Sequence, residues 1–490
     1  MYNENNPKQM KLELVNIENL VPPNHLLRKI DEYIDFSFIT KLVKPYYSDK
    51  GRPCIDPVML FKMLILGFIY GIRSERRLVE EIKYNVAYRW FLGLGLTDDV
   101  PNHSIFSQNR RRRFGNTDVA QKIFDNIVKQ AIEYGLVEGH TLFTDSTFLK
   151  ANASIGKYTK EEVLTEATAY LEELEEAVSR DRVMRGRKAL KKKDFIPKVK
   201  ITRVSKTDKD SGFMVRDGKP KGFYYLDHRT VDSLHNIITD VHITPGNVHD
   251  SKPYISILER QIDKFGFEVQ NIALDSGYFT AHICKYLYEK DFFAVIAYRR
   301  FSSTNKFFSK YTFKYNNEKD IYTCKNGSVL RYSTTNRQGY RFYKSDPNDC
   351  KKCPSVHLCM NNKSSTRVIS RHVWEDAKEW IRSNRLSPEG KKLYKQRKEK
   401  IERSFADAKE LHNHRYARRR GLENVKEQCL LASAAQNIKK IALVLAKLET
   451  RLSFYFLYQV AKSFFSSLMK KTYFCQQPRY LGIYQGIFTF

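Results

Sequence analysis

The sequence predicts a mixed α/β protein: an all-helical N-terminal block, a mixed sheet with helices, and a β-rich, cysteine-containing insertion ahead of the last helices. Three observations carry this. Residues 1–115 follow helical apolar patterns. The middle of the chain alternates β-branched and aromatic runs with helical stretches, the order of an α/β sheet. Residues 300–368 turn polar, β-like and cysteine-bearing before helical periodicity returns.

In order along the chain, Val58 to Ile72 is apolar all round and suits a buried helix. It is short for a membrane span and contains Lys62. Ser74 is placed to cap the next helix. PNHSIFSQNRRRRF ends in Arg110, Arg111, Arg112 and Arg113, a run that suits phosphate contact or a solvated helix end. His140 to Leu149 reads as a strand, and the charged stretch Lys160 to Lys193 as a helical insertion at about 158–200. Gly222 to Asp232 and Asn236 to Ile243 read as adjacent strands, with Asp250-Ser251 capping the following helix. Asn271 to Leu274 is a short apolar strand ending at Asp275-Ser276-Gly277-Tyr278, and Phe292 to Ala297 is another strand. Ser387-Pro388-Glu389 starts a helix that runs to about His412. Gly421 breaks the pattern, and Leu422 to Leu448 forms the next helix. Residues 451–490 are an aromatic, basic tail.

Composition narrows the function. The chain has 85 basic and 55 acidic residues, a net charge of +30. The simplest use of that excess is to neutralise phosphates and release their counterions. A hydrophobic content of 42% argues against wholesale disorder. Eight cysteines in 490 residues do not make a disulfide scaffold. The polar start MYNENNPKQMK lacks the apolar run of a signal peptide. The expectation is a cytoplasmic, nucleoid-associated protein with no membrane partner.

Breaking DNA phosphodiesters calls for an activated nucleophile and a stabilised leaving oxygen, which two divalent ions roughly 3.5–4 Å apart supply. Such ions need about three converging carboxylates. Asp145 lies within an apolar strand, where an ionised acid is costly without a partner. Asp275 ends a buried-looking strand, where α/β sheets place ligands, although turn aspartates are common there too. The late helix offers Glu399, Glu402 and Asp407. On a straight helix at about 100° per residue, Lys391, Lys395, Lys398, Glu402 and Lys409 share one face beside an apolar face of Ile401, Phe405 and Ala408. The plain alternative is a surface salt bridge between Lys398 and Glu402.

Asp145 on one strand, Asp275-Ser276-Gly277-Tyr278 on a later one, and a late helix with Tyr394, Arg397, Glu402 and Lys409 resemble the bacterial insertion-sequence transposases with a DDE catalytic triad, the group marked by a Tyr–Arg–Glu–Lys signature. PNHSIFSQNRRRRF and ITPGNVHDS are also similar to that group, so the resemblance spans most of residues 20–445. The spacing from Glu402 to Lys409 fits. Four residues separate Arg397 from Glu402, one more than in the signature.

The resemblance implies an RNase H-like mixed sheet in a DNA transposase that performs metal-dependent cleavage and strand transfer at mobile-element ends. Asp145, Asp275 and Glu402 would be catalytic and hold two Mg²⁺ or Mn²⁺ per active site. Tyr394, Arg397 and Lys409 would contact DNA, with Arg110 to Arg113 and Arg418, Arg419 and Arg420. The implied partners are double-stranded DNA, as element ends and target, and a second copy in a synaptic homodimer. The implied domain plan is a helical DNA-binding domain at 1–115 and a first part of the catalytic core at 116–299. The insertion at 300–368, a second core part with the Glu-bearing helix at 369–450, and the tail at 451–490 follow. Rival readings are an inactive transposase-derived DNA-binding protein and a related structure-specific nuclease. In relatives with β insertions, aromatic residues can stack on a flipped base, so Trp374 and Trp380 are candidates.

Cys324, Cys350, Cys353 and Cys359 fall within the 300–368 insertion. Cys350-Lys-Lys-Cys353 is a knuckle, and four thiolates can close a tetrahedral structural Zn²⁺ site of zinc-ribbon type. His357 is the substitute for Cys324, and four free thiols are the plain alternative. Cys54, Cys284, Cys429 and Cys475 stand apart as isolated thiols.

Overall fold

The computed structural model describes residues 14–48, 50, 54–115, 117–164, 169–191, 199–216, 218, 220–298, 307–361 and 364–472, with backbone alone from 452 onward. Most of the 451–490 tail, with Cys475, and the lysines at 192–193 lie outside the description of side chains.

Among the described residues, eight α-helices come first: α1 (Ile17–Leu20), α2 (Leu26–Tyr33), α3 (Phe38–Val43), α4 (Pro57–Ile69), α5 (Glu75–Tyr84), α6 (Val86–Phe91), α7 (Ser104–Asn109) and α8 (Val119–Glu133). Their starts follow local chemistry. Asp56 accepts from the Val58 and Met59 amides at 3.1 and 3.2 Å, ahead of Pro57 in the first turn of α4. Ser74 caps α5 through the Arg77 amide at 3.3 Å. The arginine run forms a π-helical turn, Arg110–Phe114, continuing α7.

The strands and helices that follow are β1 (Thr141–Lys150), β2 (Tyr158–Leu164), α9 (Ala169–Met184), β3 (Val199–Ser205), β4 (Gly212–Met214), β5 (Gly222–Asp232), β6 (Ile238–Pro245), α10 (Tyr254–Phe265), β7 (Asn271–Leu274), α11 (Ala281–Glu289) and β8 (Phe293–Ile296). The main sheet runs β4-β5-β1-β7-β8, with β6 also on β5. β6, β5 and β1 are antiparallel, whereas β1, β7 and β8 are parallel. The sheet is therefore mixed, as the sequence predicts. The stretch at 158–200 departs from its expectation of helix alone. β2 and β3 pair as an antiparallel ribbon, with α9 between them. Residues 160–163 of β2 are all exposed and charged residues fall on both faces, so no polar–apolar alternation marks this ribbon in the sequence.

A separate five-stranded antiparallel sheet follows: β9 (Lys314–Asn316), β10 (Ile321–Thr323), β11 (Val329–Thr335), β12 (Tyr340–Ser345) and β13 (Val368–His372), with the short α12 (Pro347–Lys351) and α13 (Val356–Cys359) before β13. It has its own small core of Phe313, Tyr322, Leu330, Tyr343 and Ile369. The chain then returns through α14 (Glu375–Leu386), α15 (Pro388–Arg397), a π turn (Lys398–Glu402), α16 (Arg403–Glu410) and α17 (Leu422–Thr472). Ser387 caps α15 through the Gly390 amide at 3.0 Å. Over Leu422–Arg451, α17 is long and apolar enough to cross a bilayer. In the fold it packs against α2, α4, α8 and β6. One continuous apolar core joins the N-terminal helices, the main sheet and α17.

Candidate active site

The first two acids meet because of strand register. β1 and β7 pair in parallel with Thr144 opposite Leu274. Asp145 and Asp275 are each one residue further on, side by side where β7 ends. Asp275 opens a 3-10 turn, Ser276–Tyr278, that passes close to Asp250: a Cβ on Gly277 would stand in ordinary contact, 3.5 Å, with Asp250 Oδ2. Across the sheet, Asp145 faces Arg229 of β5.

Asp145 accepts from the Arg397 guanidinium at 2.6 Å and from the Ser146 amide at 2.8 Å. Burial pushes its carboxyl up to about 6, and Asp275 and Asp250 add repulsion. Arg397 and the Ser146 amide pull the other way. Arg397 is only 2% exposed, and its other arm lies 3.9 Å from Glu402, whose side chain is 60% exposed. Burial raises the Tyr394 phenol; Arg397 lowers it, and Asp275, Asp145 and Glu402 each raise it further. Tyr394 thus lies in the field of all three acids, with the Arg397 guanidinium 5.6 Å from its ring.

The π turn explains the extra residue between Arg397 and Glu402. On an α-helix, residues five apart point about 140° away from each other at about 100° per residue. A π turn bonds i to i+5 and returns them to one side. The straight-helix face drawn through Lys391, Lys395, Lys398, Glu402 and Lys409 is therefore corrected: the turn at Lys398–Glu402 rotates everything after it. Ile401, Phe405 and Ala408 are buried, as the apolar pattern predicts.

Arg397 also departs from its expected role. It does not face outward for a phosphate but is enclosed against Asp145. The residue the sequence reading missed is Asp250. It was read as a cap, but α10 starts at Tyr254 behind Pro253. Asp250 instead accepts from the Ser146 hydroxyl at 2.8 Å, beside the first two acids. The text ITPGNVHDS holds it as its single acid, four residues ahead of the first residue of α10.

Behind this surface, Asp227 is fully enclosed. It accepts from Arg229 at 2.7 Å and His414 at 3.0 Å, and Arg229 also reaches Gln436 at 3.1 Å. Arg229 and His414 hold the Asp227 carboxyl well below the usual range despite burial. Among the described residues, Asp227, His414 and Cys429 have ligand atoms all within 4.8 Å of one another. Neither the three acids nor the four insertion cysteines are drawn that close. Arg229 already neutralises Asp227, so this cluster works as a brace between β5, the segment after α16 and α17.

The remaining sequence candidates divide. Arg111 and Arg112 are exposed. Arg110 pairs with Glu75 at 2.5 Å, and Arg113 stacks over Tyr47 at 4.4 Å. Arg418 lies over Phe68 at 4.4 Å, Arg419 pairs with Glu427 at 2.8 Å, and the exposed Arg420 donates to the Asn152 carbonyl at 3.0 Å. Lys409 is half-buried on α16. Cys324, Cys350, Cys353 and Cys359 line one small cavity under the insertion sheet, and the exposed His357 is not part of that lining. Trp380 packs on Tyr288 at 5.4 Å as part of the core, whereas Trp374 stacks with Tyr170 and His372 at 5.8 and 5.4 Å.

Two family models match the chain: a transposase domain over residues 15–112 and a transposase DDE domain over residues 323–442. None of the curated proteins matches. Among solved structures, a piggyBac transposase synaptic complex with hairpin DNA is 10% identical, with a TM-score of 0.32, over 87% of this chain and 81% of that one. A Mos1 transposase paired-end complex is 8% identical, with a TM-score of 0.16, over 51% and 61%. These superpositions are too loose to assign any residue. The family matches rest on the helical block at one end and the Glu402-bearing segment at the other, and over those two stretches the chain is similar to transposase domains, the second of DDE type.

Proposed function

We propose that the chain binds the ends of a mobile element, cleaves phosphodiesters there and transfers the resulting 3′-hydroxyl ends to target DNA. The observation that carries this is the side-by-side register of Asp145 and Asp275, with Glu402 brought to the same guanidinium by the π turn. We read β6, β5 and β1, antiparallel, followed by the parallel β7 and β8, as an RNase H-like core split by the insertion, whose last strand β13 carries it past the expected boundary at 368 to His372. Residues 1–115 would be the DNA-binding domain, 116–299 and the stretch from after β13 to 450 the two parts of the core, and 451–490 a tail. The +30 charge supports DNA as partner. A homodimer at paired ends and a cytoplasmic, nucleoid-associated location belong to the same reading.

Asp145, Asp275 and Glu402 would hold Mg²⁺ or Mn²⁺, and the donor set fits: oxygen ligands only, with one acid on the surface for water and substrate to complete a shell. Such ions supply charge neutralisation on the phosphate and activation of the attacking oxygen. The chain's own contribution is positional. β1 and β7 fix two acids on rigid strands, the π turn aims the third, and Arg397 holds Asp145 in place.

The test is Mg²⁺-dependent cleavage and joining of element-end DNA. Asp145→Asn, Asp275→Asn and Glu402→Gln should each abolish it while duplex binding is retained, and Glu399→Gln and Asp407→Asn should keep most of it. Cleavage without joining would favour the structure-specific nuclease. Binding with no cleavage by the wild type would favour the inactive DNA-binding protein.

We also propose a structural zinc on Cys324, Cys350, Cys353 and Cys359. The support is that all four line one cavity and that the Cys359 thiol, raised chiefly by burial, is raised further by each of the other three. About one zinc per chain by elemental analysis is expected for a closed four-thiolate site. Zinc-free protein with all four thiols freely titratable would refute it.

A further inference from the structure

A pocket of about 390 Å³ opens between the start of α5 and the segment joining α16 to α17, and five arginines line it: Arg73, Arg76, Arg110, Arg418 and Arg419. We propose that it is a binding site for one phosphate of the DNA backbone, built jointly by the N-terminal helices and the segment after α16. The proposal rests on the DNA reading above only for what carries the phosphate.

The charge count points to an anion. Two carboxylates, Glu75 and Glu427, share the pocket, and both are engaged: Glu75 with Arg110 at 2.5 Å, Glu427 with Arg419 at 2.8 Å and Arg110 at 3.7 Å. That leaves Arg73, Arg76 and Arg418 in excess. Arg73 and Arg418 are held by aromatic faces, Tyr416 at 4.9 Å and Phe68 at 4.4 Å. Stacking leaves the edges of a guanidinium available to a planar pair of acceptors. Arg76 donates to His103 Nε2 at 3.2 Å, so this histidine serves as an acceptor. Arg418 Nε is buried with no hydrogen-bond partner, which costs stability until an acceptor arrives. Arg418 is also pulled down to about 10, by burial first and then by Arg73, and Arg419 pushes the same way. Like charges crowded this closely are what a bound phosphate relieves.

The pocket is mechanically tied to the acids. The Lys150 amide donates to the Arg415 carbonyl at 3.2 Å, and the Ala417 amide to the Lys150 carbonyl at 2.8 Å. The arginine segment therefore continues from the end of β1, five residues after Asp145. A phosphate gripped here would fix the register of DNA on the strand that carries the first catalytic acid.

The test is duplex binding by fluorescence anisotropy across a salt series, without divalent metal. Arg73 and Arg76 are exposed, so Arg73→Gln/Arg76→Gln should fold; Arg418→Gln is the second variant. Each should lower the slope of log affinity against log salt by about 1, the mark of one lost phosphate contact. Arg77→Gln, on the same helix but paired with Glu81, should leave the slope unchanged. Unchanged slopes in both pocket variants would overturn the proposal. Inorganic phosphate separates the sources. If it raises the wild-type melting temperature and not the variants', while the DNA slopes stay equal, the pocket takes a free anion and the proposal is overturned. Because binding is read without metal, a wild type that binds but never cleaves sinks the transposition reading and leaves this one standing.

Discussion

At the scale of single residues, Arg397 shows how one guanidinium can serve two acids. A side chain 2% exposed, 2.6 Å from Asp145, keeps a carboxylate ionisable where burial alone would drive it neutral. Arg397→Ala should therefore destabilise the fold by about 3 kcal/mol, the low end for a broken buried pair because Asp145 keeps a solvent edge. Metal-free duplex affinity should change little, since Arg397 faces inward. Denaturant midpoints and anisotropy would check the two halves. A large loss of DNA affinity with unchanged stability would return Arg397 to the outward-facing role expected from the family signature. Asp250 belongs to the same scale. Asp250→Asn keeps the acceptor for the Ser146 hydroxyl but removes a charge beside Asp145. Cleavage kinetics should show it milder than Asp145→Asn.

At the scale of elements, the π turn Lys398–Glu402 is the feature that sequence arithmetic could not supply. The strands β1, β5, β7 and β8 were legible to within two residues because short β-branched runs bounded by turns have few alternatives. The helix starts at Ser74 and Ser387 were legible from their caps. The late helix was legible as a helix, and its buried face as Ile401, Phe405 and Ala408, but its phase was not. One extra residue absorbed inside a helix leaves no mark on the apolar pattern of either flank. The acid Asp250 was missed for a related reason: its contact with Ser146 joins positions 104 residues apart. The ribbon of β2 and β3 was missed because its largely exposed, charged strands carry no polar–apolar alternation. Deleting the exposed Glu399 should turn the π turn into plain α-helix with Arg397 and Glu402 four apart, about 40° from each other on one face and at the signature spacing. Circular dichroism should barely change and cleavage should be retained, whereas inserting one alanine after Glu399, which the π turn cannot also absorb, should lower cleavage by roughly 10²-fold or more, the scale of a small misplacement at a reacting centre. Glu399→Ala, which keeps the count, should cleave normally. A deletion variant that is dead while Glu399→Ala cleaves would show that the π turn does more than absorb the extra residue.

At the scale of the whole molecule, the response to acid is set by histidines buried in three different regions. His242 on β6, His372 on β13 and His412 after α16 are each pulled down to about 4, burial being the largest cause. His412 also ties the segment after α16 to α4 through the Phe68 carbonyl at 3.0 Å. In the unfolded chain these rings titrate near the ordinary value of about 6.5. A depressed folded pKa contributes stability that is fully present above about 6.5 and is lost as pH falls towards 4. Asp145 acts with the opposite sign. Its folded value is raised to about 6, so the folded state takes up a proton before the unfolded chain does, and stability is regained as pH falls from about 6 towards 4. Burial raises Asp232 and Asp240 too, which act with Asp145, but His25, His228, His235, His282 and His414 are shifted the same way as the three rings, which leaves the histidines ahead. Urea midpoints should therefore drop between pH 6.5 and 4 without metal. His412→Gln should flatten the drop, and Asp145→Asn should steepen its lower half by removing the opposing proton. A wild-type midpoint that holds constant or rises over this window would show that the rings are not held neutral in the fold.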